Sequence, residues 1–171
     1  MANEQAILDV LERLRGRFFG KYRGSVTDVE DGGRGRIKAK VPAVLGDQAT
    51  GWCDPCVPYA GDQVGFAFLP EVGAGVWIEF EGGDVSYPIW TGCYWREGEL
   101  PSDAGPKKKL IQTKAGHQIL FDDDAGSVTI TDSNENTITL DSSGIALKRS
   151  SGKVEITESK VTVNDGALEV E

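Results

Sequence analysis

Three cysteines and a single histidine are the residues of this chain best able to hold a metal. Cys53-Asp54-Pro55-Cys56 has the Cys-x-x-Cys spacing of a zinc or redox pair, and Cys93 with His117 could complete four ligands. That second pair lacks the tight spacing of a zinc site, and no βαβ pattern follows as a redox motif requires, so buried or half-buried thiols are the preferred reading. Asp122-Asp123-Asp124, with Asp132 or Asp141, offers the oxygen ligands that Ca²⁺ or Mg²⁺ takes; such a run also suits a solvated turn. Gly32-Gly33-Arg34-Gly35-Arg36 has the composition of an RNA-binding segment, but one copy between two strand-like runs fits a hairpin turn better. Any nucleophile–base arrangement would have to use His117, and no phosphate loop, nucleophile elbow or metalloprotease motif accompanies it. The expectation is a protein with no catalytic residue, no metal and no cofactor.

Bulk properties narrow the partners. The 171 residues carry a formal charge of −9, which disfavours phosphate contact and therefore a general nucleic-acid binder. The same charge disfavours electrostatic adhesion to an anionic membrane. Gly is abundant at 22 residues, as in a turn-rich β chain. The opening residues have no secretory pattern and no apolar run reaches spanning length, so the chain is expected to be made in the cytoplasm without a signal peptide.

The elements that would position any site are mostly short strands. From residue 119 an apolar–x–apolar triplet recurs: Ile119/Phe121, Val128/Ile130, Ile138/Leu140, Ile145/Leu147, Val154/Ile156, Val161/Val163 and Leu168/Val170. The triplets start 9, 10, 7, 9, 7 and 7 residues apart, with Gly and Asn between them. Period-2 apolar residues bounded by turn formers read as very short strands, and a unit with two inward side chains must stack on neighbours to bury them. The spacing predicts a β-helix or β-prism, with three chains wound together and these fourteen residues as the trimer core. Strands stack about 4.8 Å apart, so seven layers make a shaft on the order of 35 Å. Its last layer would leave an unpaired edge at Leu168-Glu169-Val170-Glu171, which needs a cover.

Upstream, Ile7, Leu8, Leu11 and Leu14 form one apolar stripe and predict a helix ending at Gly16. It either packs on its own domain or docks on a neighbouring subunit. Tyr22–Val29, Ile37–Val41, Gly65–Leu69, Val76–Phe80 and Tyr87–Trp95 read as five strands, which suits a small Greek-key barrel of the OB type. Pro, Gly and charge then break the pattern up to Lys107-Lys108-Lys109. The predicted organisation is an N-terminal helix (1–16), an OB-fold domain (17–96), a linker (97–109) and a trimeric β-helix (110–171).

Several of these residues carry a resemblance. Tyr22-Arg23-Gly24, Gly35-Arg36-Ile37, Trp52, Cys56-Val57-Pro58-Tyr59-Ala60-Gly61, Leu69-Pro70-Glu71-Val72-Gly73, Val76 to Asp84, Pro88 and Gly92 stand in an order that resembles the OB domain of phage baseplate assembly protein V and the VgrG-type spikes of contractile injection systems. Ile111-Gln112-Thr113-Lys114-Ala115-Gly116, leading into Ile119 to Asp123, resembles the entry into that family's trimeric β-helix. The resemblance implies an all-β homotrimeric spike, acting in a virion or injection particle, that touches a target membrane transiently and pierces it. It implies baseplate hub or tail-tube partners, for which the Ile7, Leu8, Leu11 and Leu14 stripe is the docking candidate. The chain departs from the pattern in two ways. It has no room for a muramidase domain, and its one histidine cannot form a His-x-His tip. A separate tip protein, like the family's PAAR-repeat cones, is implied on Leu168 to Glu171. The competing expectation is an OB-fold binding module for glycan or oligonucleotide on a β-solenoid stalk, which a salt-sensitive complex with single-stranded DNA would favour.

Overall fold

The computed structural model describes residues 2–30 and 32–170. It divides into two compact units, Met1–Gly98 and Glu99–Glu171.

In the first unit, helix α1 (Ala2–Leu14) is followed by β1 (Tyr22–Val29), β2 (Ile37–Lys40), the one-turn helix α2 (Pro42–Leu45), β3 (Asp54–Pro55), β4 (Ala60–Gly61), β5 (Val64–Gly65), β6 (Gly75–Phe80) and β7 (Pro88–Tyr94). Five strands form one sheet in the order β2-β1-β6-β7-β3, a half-barrel of OB type, and β4-β5 is a separate hairpin. The sheet curls because β1 carries an irregularity between Val26 and Asp28, and β6 another between Val76 and Ile78. Alternation along β1, β2 and β6 turns Val26, Ile37, Ala39, Val76, Ile78 and Phe80 into one core with Val41, Cys53 and Trp90. Two polar groups are tied down at its rim. Trp90 Nε1 donates to the Gly35 carbonyl at 3.1 Å, and the Ala39 N–H donates to Thr50 Oγ1 at 3.0 Å.

Four strand expectations correspond to β1, β2, β6 and β7; the third does not. Only Val64–Gly65 is strand, in the β4-β5 hairpin, and Phe66 to Leu69 lies outside any ladder. The fifth strand of the sheet is instead β3, which pairs parallel to β7 through Asp54–Ile89 and Pro55–Trp90. The segment leading to it is rich in Gly, Asp and Pro like a loop, and a two-residue pairing carries no periodicity to betray it. Asp31, which precedes the hairpin turn expected at Gly32-Gly33, lies outside the described residues.

The second unit is a single eight-stranded sheet of β8 (Lys108–Gln112), β9 (Gln118–Asp122), β10 (Ser127–Thr131), β11 (Thr137–Asp141), β12 (Gly144–Arg149), β13 (Gly152–Ile156), β14 (Val161–Val163) and β15 (Leu168–Val170). Neighbours in sequence are neighbours in the sheet, and every pair is antiparallel. β8 begins at Lys108, inside the stretch that the sequence assigns to the linker. The expected winding concerned strands contributed by three chains; within one chain the strands hydrogen-bond to each other in a meander.

Candidate functional site

The register of the meander aligns the triplets into two unbroken columns on one face. The first column runs Ile111, Ile119, Ile130, Ile138, Leu147, Val154, Val163, Leu168. The second runs Phe121, Val128, Leu140, Ile145, Ile156, Val161, Val170. All fourteen residues picked out by the triplet pattern are in these columns. Ile111 is the one that sequence reasoning left out, because the triplet pattern is read only from residue 119.

Cross-strand apolar pairs of this kind stabilise a ladder, but they do not build an interior here. No described residue of this unit is buried. Ile138 keeps 38 % of its surface exposed and Phe121 keeps 46 %. Isolated exposed apolar residues are ordinary, but a contiguous face of fifteen marks a surface made to be covered. The opposite face alternates in phase with it: Thr129, Thr139, Ala146, Glu155 and Thr162 lie in one row across β10 to β14. Leu120 and Leu110 are the large apolar residues of that row, and they pair with each other across β9 and β8.

The hairpins are closed by aspartates. Asp132 accepts the backbone N–H groups of Asn134 and Asn136 at 2.8 and 2.9 Å, and the Asn136 amide at 2.7 Å. The Asn136 amide above all holds its carboxyl well down, to about 2. Asp122 accepts from the N–H groups of Ala125 and Asp124 and is lowered by them and by Lys108. Asp141 is lowered chiefly by the Ser143 hydroxyl.

A pH prediction follows from these directions. A carboxylate depressed in the folded state contributes stability above its unfolded value and loses it as pH falls through the folded one. For Asp132 the ordinary value is 3.8 and the folded one about 2, so the contribution is intact above pH 4 and is lost from there toward pH 2. Melting temperature should therefore stay level down to about pH 4 and fall below it, and Asp132→Asn should flatten that fall. An unchanged slope in the variant would exclude this turn as the acid-sensitive element.

The acidic run that could have held a cation is matched by the basic run instead. Lys108 pairs with Asp122 at 3.2 Å, Lys107 with Asp124 at 2.6 Å, and Lys109 with Asp123. Among the described residues no group of three or more His, Cys, Asp or Glu is arranged to hold a metal ion. Cys53 is buried beside Thr50 Oγ1 at 3.2 Å, and burial pushes its thiol up; Cys56 and Cys93 are exposed. His117 belongs to the second unit, where its Nδ1 accepts the Ser133 N–H at 3.3 Å.

The cations of the OB-type sheet are engaged as well. Lys21 faces Glu79, Lys38 faces Asp28, Lys40 faces Asp47 and Arg36 faces Glu30, while Arg23 lies over the rings of Trp77 and Tyr94. The stripe residues Ile7, Leu8, Leu11 and Leu14 on α1 are all exposed. In this structure the stripe is therefore not packed on its own domain. At the far edge of the meander Leu168 and Val170 are exposed on β15; the Glu169 side chain and Glu171 lie outside the described residues. Among the described residues no helix is long and apolar enough to cross a membrane.

Comparison with known proteins assigns each unit. Residues 22–95 match the model of the type VI secretion system/phage-baseplate injector OB domain. Residues 108–169 match the phage baseplate V C-terminal trimerisation domain. Between them the two models take in most of the chain. The sequence is also similar to the actin cross-linking toxin VgrG1 of Vibrio cholerae serotype O1, at 31 % identity over 108 residues. That alignment covers 56 % of this chain and 10 % of the relative, so the chain spans about a tenth of the relative's length.

Proposed function

We propose, given that the chain belongs to the phage baseplate V family of baseplate and injector spikes, that it is the central spike of a contractile tail or injection system and pierces the target envelope. One observation carries the reading: the two-column apolar face on a sheet whose own unit buries nothing. Three copies of that face turned toward one another form a three-walled shaft with a dry interior and a polar outside. Each buried Val, Leu, Ile or Phe side chain then contributes roughly 1.5–3 kcal/mol that a single chain cannot collect. The extended-chain reference makes this an upper estimate.

Stiffness is the property such a device needs. The eight strands are ladder-paired from Lys108 to Val170, so the load along the shaft falls on continuous backbone hydrogen bonds. Sheath contraction elsewhere supplies the force, and no residue of this chain acts as a catalyst. β15, with Leu168 and Val170 exposed, is the last described strand of the sheet. A separate PAAR-like tip protein, which the family resemblance implies, is the partner we assign to Leu168 to Glu171. The particle that carries the spike is the place of action, and its contact with the membrane is transient.

The first test is solution mass by light scattering. The expected value is three times 18.4 kDa. A chain that remains monomeric with the sheet intact would end the spike reading and favour the OB-type binding module.

A further inference from the structure

We infer that the three copies of α1 in one spike pack on each other, so that the particle is trimerised at its N-terminal helices as well as at its shaft. The inference rests on the trimeric reading above, and it concerns a surface that the shaft does not use.

The helix is bare where it should not be. Ile7, Leu8, Val10, Leu11 and Leu14 are each more than half exposed, from 59 % at Ile7 to 51 % at Leu11. A helix of 13 residues is at the lower limit of stability in water without a packed face. Its base is nonetheless fixed. Gly16 ends it with φ +77°, and two residues on the Phe18 N–H donates to the Gly83 carbonyl at 2.8 Å. The Phe18 ring meets Tyr22 and Phe80 edge-on beside the core. Each copy therefore launches its helix from an anchored residue, across a short glycine-containing joint.

The stripe has the width and the residue types of a three-helix contact. At 100° per residue, Val10, Leu14, Ile7, Leu11 and Leu8 span an arc of roughly 160°. A two-stranded seam uses the narrower a/d stripe alone, whereas a helix touched from two sides needs the wider one. Ile7, Val10 and Leu14 follow the 3–4 spacing of a, d and a positions; Ile at both a and d shifts preference from dimers toward trimers, and Ile7 at a with the β-branched Val10 at d is the nearest match to that pattern. Two further copies are at hand, because the trimerisation domain tethers them in the same particle at high effective concentration. A foreign partner would have to compete with that tether.

Two readings of the isolated full-length protein test this. Hydrogen exchange over residues 6–14 should be at least about 100-fold slower than in an unstructured peptide of the same sequence. In a Cys56→Ser, Cys93→Ser background, Val10→Cys should cross-link copies under mild oxidant much faster than Glu12→Cys, which lies outside the arc. Trimer mass together with unprotected helices and equal cross-linking would overturn the inference and favour a tube or hub protein on the stripe. A monomeric mass would overturn the trimeric reading itself, and this inference with it. Protection with selective Val10→Cys cross-linking would support both.

Discussion

Ile138→Asp should abolish the trimer, while Thr139→Asp, one residue along the same strand, should leave it intact. Both substitutions put a poor strand former into β11, so the local penalty is common to the pair. What differs is the face. Ile138 stands between Ile130 and Leu147 in the middle of the first apolar column, and Thr139 stands between Thr129 and Ala146 on the other side. In the proposed three-walled shaft the first substitution would bring three carboxylates onto a dry axis. An uncompensated buried charge costs on the order of 3–5 kcal/mol, and three like charges together cost more. The second substitution places its carboxylates in water. Light scattering on the two variants separates the outcomes. A stable Ile138→Asp trimer would mean that this face does not line the interior, and loss of the trimer in both would mean that strand propensity alone is being read.

The columns were legible in the sequence because strand periodicity is local. Each apolar–x–apolar triplet shows which two side chains share a face, and turn formers mark where the chain must reverse. Which strand lies beside which is a non-local matter. The same seven triplets are compatible with strands paired along one chain and with strands dealt out among three, since both put the same residues on one face. The observed ladders, Val128–Leu140 and Ile145–Ile156 among them, run along one chain. Charge hid β8 in a similar way. Lys107-Lys108-Lys109 read as the end of a linker because their partners, Asp124, Asp122 and Asp123, are 14 to 17 residues away. Once the lysines are neutralised across the β8-β9 pair, Ile111 is free to open the first column. In the OB-type sheet the prolines of the 53–58 segment hid a strand, and the aromatic run Phe66 to Leu69 suggested one that does not form. Phe66 and Phe68 stack on each other at 4.5 Å instead, on the surface.

Gly144→Ala is the second large effect, and it comes from backbone rather than from the apolar face. Gly144 opens β12 with φ +138°, a conformation that L residues rarely adopt. A Cβ there would lie 1.9 Å from the Ile156 carbonyl oxygen and 3.0 Å from its carbon. Both are backbone atoms of β13, so no rotamer change can relieve the overlap; β12 and β13 must part near the Ile145–Ile156 pair. Strained φ and forced overpacking each cost about 1–3 kcal/mol, and the proposed trimer would carry the change three times. Gly126→Ala supplies the comparison. Gly126 also has positive φ, +62°, but nothing lies within 4 Å of its would-be Cβ. That variant bears the conformational cost alone. The melting temperature of the Gly144→Ala trimer should therefore fall well below that of Gly126→Ala, which should itself fall only slightly below the parent. If the two variants melt together, the close approach of β12 to β13 is not what demands glycine, and the meander must be looser at its centre than its ladders imply.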